Sequence, residues 1–215
     1  MIMAIIKNGI NGSFFGKVGS VIGYEWRGIP VMRGLPKKRT SPPSEKELAN
    51  RERMRIMQKF LQDSKNFIDL GFQLEAKARN MSAFNAAMSY NKKYAITGSY
   101  PDLKIDYEKL LVSKGLLITP TNPSVAYVEG TLHFKWDAVA APTKVRTLLF
   151  AFTEDREYMN ASYGLGYGDS GEDLLEFDLS ESNYPNAVRI HSYIAFINVM
   201  NDAISNSVYC GVIES

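Results

Sequence analysis

From residue 118 onward the sequence breaks into short apolar runs with turn residues between them. The runs are "SVAYVEG", "TLHFKWDA", "VRTLLFAFTED", "REYMNASY", "LLEFDLS", "VRIHSYIAFINVM" and "SNSVYCGVI". They are too short and too rich in β-branched and aromatic residues to be helices. Repeated strand-length runs at this spacing describe an antiparallel β-sandwich. Alternation within the runs supports this. "TLHFKWDA" places Leu132, Phe134 and Trp136 on one face. "VRIHSYIAFIN" places Val188, Ile190, Ile194 and Phe196 on one face, with Tyr193 and Ile197 on the other.

The first part of the chain is built differently. Residues 1–34 hold seven of the sixteen glycines, and short apolar runs ("AII", "FF", "VIGYEW", "IPVM") lie between them. Tight turns and bulges permit this pattern, so a β-ribbon is expected here. Strands over 18–24 and 28–33 would form a hairpin through Trp26-Arg27-Gly28, with Pro30 marking an edge strand. "LPKKRTSPPSEKE" is a linker whose prolines stop the ribbon. Ser44, with Glu47 behind it, reads as a capping box that opens a helix running to about residue 70 and closing at Gly71. Phe84, Ala87, Met88 and Asn91 recur at helical spacing and predict a second helix over 82–94. "TGSYPD" is a turn, and "LKIDYEKLLVS" reads as a strand leading on. The expected fold class is α+β: an N-terminal β-ribbon plus two helices over 1–117, then the sandwich over 118–215.

Charge divides the chain more sharply than its net value of +2 suggests. Residues 1–59 carry twelve Lys and Arg against four Asp and Glu; the remainder carries thirteen against nineteen. A basic segment of this kind seeks an anionic partner, either nucleic acid or the acidic part of another copy. Lys17, Trp26, Arg27, Arg33, Lys37, Lys38 and Arg39 are the candidate contact residues, since interfaces favour Trp and Arg. Phosphate contacts from Arg33, Lys37, Lys38 and Arg39 would give affinity for nucleic acid without sequence readout.

Catalytic and cofactor chemistry finds little support. A phosphate-binding loop reads G-x-x-x-x-G-K-[ST], cradling phosphates with backbone amides and magnesium with the hydroxyl. Here Gly12 and Gly16-Lys17 are one residue short of that spacing, and Val18 replaces the hydroxyl residue. Ser89-Tyr90-Asn91-Lys92 matches Ser-x-x-Lys without that enzyme class's companion motifs. His133 and His191 fall in different runs, so no metal ligand set is visible. Cys210 is the one cysteine, which excludes an internal disulfide, and its apolar run makes it a small core residue. No cofactor is expected. Tyr158, Tyr163 and Tyr167 lie in a glycine-rich acidic stretch and form a candidate ligand loop, with a glycan as the class it would take. Asp169, Glu172 and Asp173 nearby lack EF-hand spacing. No apolar run reaches the roughly 18 residues of a membrane span. The start "MIMAIIKNGINGS" has no basic n-region. Synthesis in the cytoplasm is therefore expected, with assembly into a virion-like or extracellular structure as a destination.

Three resemblances add to this reading. Trp136 in an early strand and Tyr193 in a late one make the second half resemble a fibronectin type III or immunoglobulin-like sandwich, a scaffold that hosts many roles. The order "GSFFGKVGSVIGYEWRGIPVMRGLPKK", "SPPSEKELANRERM", "FNAAMSYNKKYAITGSYPDLKIDY" is similar to a Bacteroidota family of about this length, a domain of unknown function. That resemblance implies no activity. The glycine-basic ribbon, linker and helix with Asn50-Arg51 also resemble small phage-associated proteins, which implies assembly. The expectation is a non-enzymatic assembly protein that self-associates or docks a protein through its basic ribbon. A nucleic-acid-binding module and a carbohydrate-binding sandwich are the alternatives.

Overall fold

The structure is a computed structural model that describes residues 5–6, 12–37, 40–138, 145–179 and 188–214, the side chain of Leu165 excepted. Its contacts divide the chain into two units, Met1–Ser44 and Glu45–Ser215.

The first unit is an antiparallel meander of β1 (Ile5–Ile6), β2 (Phe14–Val18), β3 (Val21–Trp26) and β4 (Ile29–Gly34), paired in chain order. The expected hairpin forms, with its strands shifted by a few residues. Trp26 pairs with Ile29, and Arg27 (φ 53°) and Gly28 (φ 81°) make the turn. Positive φ at both central residues matches the right-handed twist of the strands, and glycine takes it without strain. Pro30 lies in β4, at one edge of the meander, where a missing N–H costs no ladder bond.

The second unit opens with α1 (Glu45–Asp63), α2 (Lys65–Gly71), α3 (Gln73–Ala78) and α4 (Ala83–Tyr94). α1 begins right after Ser44, with Glu45 and Glu47 in its first turn. The expected single helix to residue 70 is instead broken at Ser64, whose hydroxyl donates to the Phe60 carbonyl at 2.8 Å and bends the chain. Gly71 is not the terminal cap expected of it. It is buried in the last turn of α2, and a Cβ there would sit 2.1 Å from the Val112 carbonyl oxygen. Close approach, not a left-handed cap, accounts for this glycine. α4 matches expectation, and Ser82 accepts a bond from the Asn85 N–H at 3.2 Å.

Strands β5 (Ile96–Thr97) and β6 (Lys104–Ile105) pair across the "TGSYPD" turn. The strand expected in "LKIDYEKLLVS" is confined to β6; the rest is irregular chain pinned by side chains. Asn91, fully buried on α4, donates to the Leu111 carbonyl at 2.8 Å and accepts from its N–H at 2.9 Å. Ser207 Oγ accepts from the Val112 N–H at 2.9 Å, and Ser113 Oγ donates to the Ser205 carbonyl at 3.0 Å.

All the expected strands of the second half form: β7 (Ser124–Val128), β8 (Thr131–Lys135), β9 (Val145–Thr153), β10 (Met159–Tyr167), β11 (Glu172–Glu176), β12 (Arg189–Asn198) and β13 (Val208–Glu214). They make a central sheet of order β10-β9-β12-β13 and an outer sheet of order β11-β8-β7, both antiparallel. Leu132, Phe134, Trp136 and Leu175 of the outer layer share a core with Leu149, Ala151, Ile194 and Phe196 of the central sheet. The opposite face of the central sheet, with Leu148, Phe150, Phe152, Tyr193 and Ile197, is covered by the helices. Phe60 meets Phe152 edge-on at 5.4 Å, and Phe67 stacks on Phe150 at 4.8 Å. With both faces covered, β9 and β12 are buried almost throughout, which is why their sequences run apolar where one-sided strands would alternate. A boundary was expected at 117/118. The contacts place the division after Ser44, because the helices share a core with the central sheet.

Candidate interaction site

The β3–β4 hairpin gathers several of the residues singled out in the sequence. Register places Lys17, Ile22 and Arg33 side by side across β2, β3 and β4. Tyr24 pairs with Val31 and Trp26 with Ile29; by strand alternation Tyr24 and Trp26 share the face of Ile22. Trp26 is 45% exposed and Ile29 48%, and Tyr24 is also exposed. The Arg33 guanidinium lies 5.7 Å from the Tyr24 ring centre, a cation–π contact that holds the charge over the aromatic face. Arg27 stands at the turn between them. The result is an exposed basic and aromatic strip, ending on an edge of β4 that no strand of the described residues pairs with. Lys37 is exposed beyond β4. Lys38 and Arg39 lie outside the described residues.

The three tyrosines of the candidate ligand loop do not converge. Their stretch is largely strand β10, with a register shift between Tyr163 and Tyr167. Tyr158 packs edge-on against Phe177 at 4.8 Å, beside the core between the sheets. Tyr163 faces the helices, 5.8 Å from Phe67, and lines an open crevice of about 440 Å³ with Gln62, Lys65 and Asn160. Tyr167 carries Arg146 over its ring at 5.8 Å. Asp173 accepts a short bond from the Thr147 hydroxyl.

The remaining candidates are scattered. His191 is buried, with Nδ1 2.7 Å from the Tyr209 hydroxyl and its ring against Tyr107. Burial holds its pKa down to about 4, the Glu154 carboxylate pulling weakly the other way and Arg189 adding to the fall. His133 lies on β8, facing away from the core between the sheets. Cys210 packs beside that core, and burial pushes its thiol up to about 12, so the thiolate nucleophile is disfavoured. Among the described residues, no three His, Cys, Asp or Glu side chains gather as a metal site. Among them, no helix is long and apolar enough to cross a membrane.

Sequence reading alone missed Ile29 and Met32 as exposed residues of the hairpin. The "WRGI" turn carried the signal: once Arg27-Gly28 is the loop, register fixes which residues share a face.

Comparison with known proteins bears on family. Among curated proteins no sequence matches this chain. Among solved structures, the fn3 domain of human collagen alpha-1(XX) chain aligns over 46% of this chain and 82% of its own, at 12% identity and a TM-score of 0.33. A family model, "Family of unknown function (DUF6266)", matches residues 12–211, covering the ribbon, the helices and both sheets. The chain therefore belongs to this family of unknown function, DUF6266.

Proposed function

We propose that this is a non-enzymatic assembly protein whose N-terminal ribbon docks a second copy of the chain or a protein partner. The observation that carries this reading is the exposed hairpin strip, which sets Tyr24, Trp26 and Ile29 among Lys17, Arg27 and Arg33. Exposed large apolar residues ringed by cations mark an interaction surface, and Trp and Arg are the residues that dominate such contacts. The edge of β4, unpaired among the described residues, adds a backbone able to accept another strand. In this reading the sheets are a fibronectin type III or immunoglobulin-like sandwich serving as a scaffold. The pairing of a β11-β8-β7 layer with a β10-β9-β12-β13 layer supports that assignment.

The test is sedimentation velocity of the purified chain and of Trp26→Ala/Arg27→Asn. Asparagine keeps the left-handed turn while removing the charge. Wild-type chain is expected to associate with rising concentration, and the double variant to weaken that association at least about tenfold. An unchanged oligomeric state overturns self-association through the ribbon.

One observation favours a second reading. Tyr24 and Trp26 exposed beside Arg33 and Lys17 are also the parts of a stacking platform for single-stranded nucleic acid. Binding of an oligonucleotide that collapses steeply with added salt would favour it.

A further inference from the structure

The outer sheet carries a surface of opposite character to the ribbon. Register sets Leu174 beside His133 and Glu176 beside Thr131, on the face turned away from core residues Leu132, Phe134 and Leu175. The turn Glu129-Gly130, both at positive φ, joins β7 to β8 next to them. Tyr127, Glu129, Thr131, Leu174, Glu176 and Asp178 line a groove of about 910 Å³. Leu174 is 54% exposed, and Val128, across Thr131 from Glu176, is 49% exposed. Neither Glu129 nor Glu176 makes an ion pair among the described residues.

Asp178 lies beside Gly130, next to Glu129, and Glu176 completes the acidic lining; no cation site forms among the described residues. A groove with Leu174 and Tyr127 in its wall and carboxylates on Glu129, Glu176 and Asp178 suits a segment that alternates cations with large apolar side chains. This chain contains such a segment. Residues 1–44 hold seven Lys and Arg against one Glu, and residues 45–215 hold eighteen against twenty-two. We propose that the groove receives the β3–β4 hairpin of a second copy, with Arg27 and Arg33 facing Glu129 and Glu176, and Trp26 or Ile29 against Leu174. The contact is heterologous: each copy offers one hairpin and one groove, so association continues into rings or filaments. This inference rests on the assembly reading above and names its acceptor surface.

Charge reversal separates the two. The hairpin variant Arg27→Asp/Arg33→Glu places acid against acid, with Asp-Gly suited to the turn. The groove variant Glu129→Lys/Glu176→Lys places base against base. Sedimentation velocity at low salt, with circular dichroism to confirm folding, is expected to show each variant alone losing association at least about tenfold. An equimolar mixture is expected to recover it, because each reversed surface then meets an opposite one. Wild-type-like association of the groove variant, or a mixture that stays dissociated, overturns the groove assignment while leaving the ribbon reading intact. A wild-type chain that remains monomeric at all concentrations overturns both the groove assignment and self-association through the ribbon.

Discussion

At the scale of single residues, most buried polar groups in the second unit hold backbone. Asn91 satisfies both backbone groups of Leu111, and Ser207 and Ser113 stitch the 112–113 segment to the β12–β13 connection. His191 differs: Nδ1 meets Tyr209, but Nε2 is buried with no hydrogen-bond partner among the described residues. Burial favours its neutral form and holds the folded-state pKa at about 4, below the ordinary 6.5. The unfolded chain therefore binds a proton that the folded chain refuses as pH falls from about 6.5 to 4. Stability from this residue is complete above that window, declines through it and levels off below. The loss is expected to be on the order of 2 kcal/mol. Urea unfolding at pH 7 and pH 4.5, compared between wild type and His191→Phe, measures it: the variant should lose less stability on acidification than wild type does.

At the scale of elements, close approach explains what local propensity does not. A helix propensity scale treats Gly71 as a defect or a cap, yet it lies where α2 passes the Val112 carbonyl, and Lys114 donates its N–H to the Gly71 carbonyl at 2.9 Å. Gly71→Ala should therefore destabilise, although alanine is the better helix former. We expect a cost of about 2–3 kcal/mol, read as a fall in the denaturant midpoint with little change in slope. A neutral or stabilising substitution would show that α2 and the 112–114 segment separate easily. The strands were more legible than the helices. Each run of the second half became a strand, because short β-branched and aromatic runs between turn residues leave the backbone few other choices. The break at Ser64 was hidden: serine is common in helices, and only its hydroxyl's bond to the Phe60 carbonyl shows that it bends the chain here. The ribbon was legible as a hairpin, but which residues share a face depended on a register set by the Arg27-Gly28 turn.

At the scale of the whole molecule, the central sheet is covered by helices on one face and by the outer sheet on the other. A fragment starting at residue 118 would expose Phe150, Phe152, Tyr193 and Ile197 together. That fragment is expected to aggregate or bind a hydrophobic dye such as ANS, whereas residues 45–215 should unfold in one cooperative transition. Scanning calorimetry and dye binding on the two fragments check this; a well-folded 118–215 fragment would place the boundary at 117/118 after all. The candidate site shows the same division between local and global information. Lys17, Trp26, Arg27 and Arg33 could be picked from composition and charge, since exposed cations and a tryptophan at a turn are local facts. The three tyrosines could not be sorted this way, because strand β10 sends Tyr163 to the helices while Tyr158 packs beside Phe177. By itself the sequence determined the strands of the second half, the hairpin, the start of α1, the whole of α4 and the charge asymmetry, because turn chemistry, period and charge act within a few residues. Only the tertiary structure decided that the helices share a core with the central sheet and that a carboxylate-lined groove opens on the outer sheet. Those features depend on which apolar faces meet, and two-sided burial leaves β9 and β12 as uniform apolar runs that do not say what covers them.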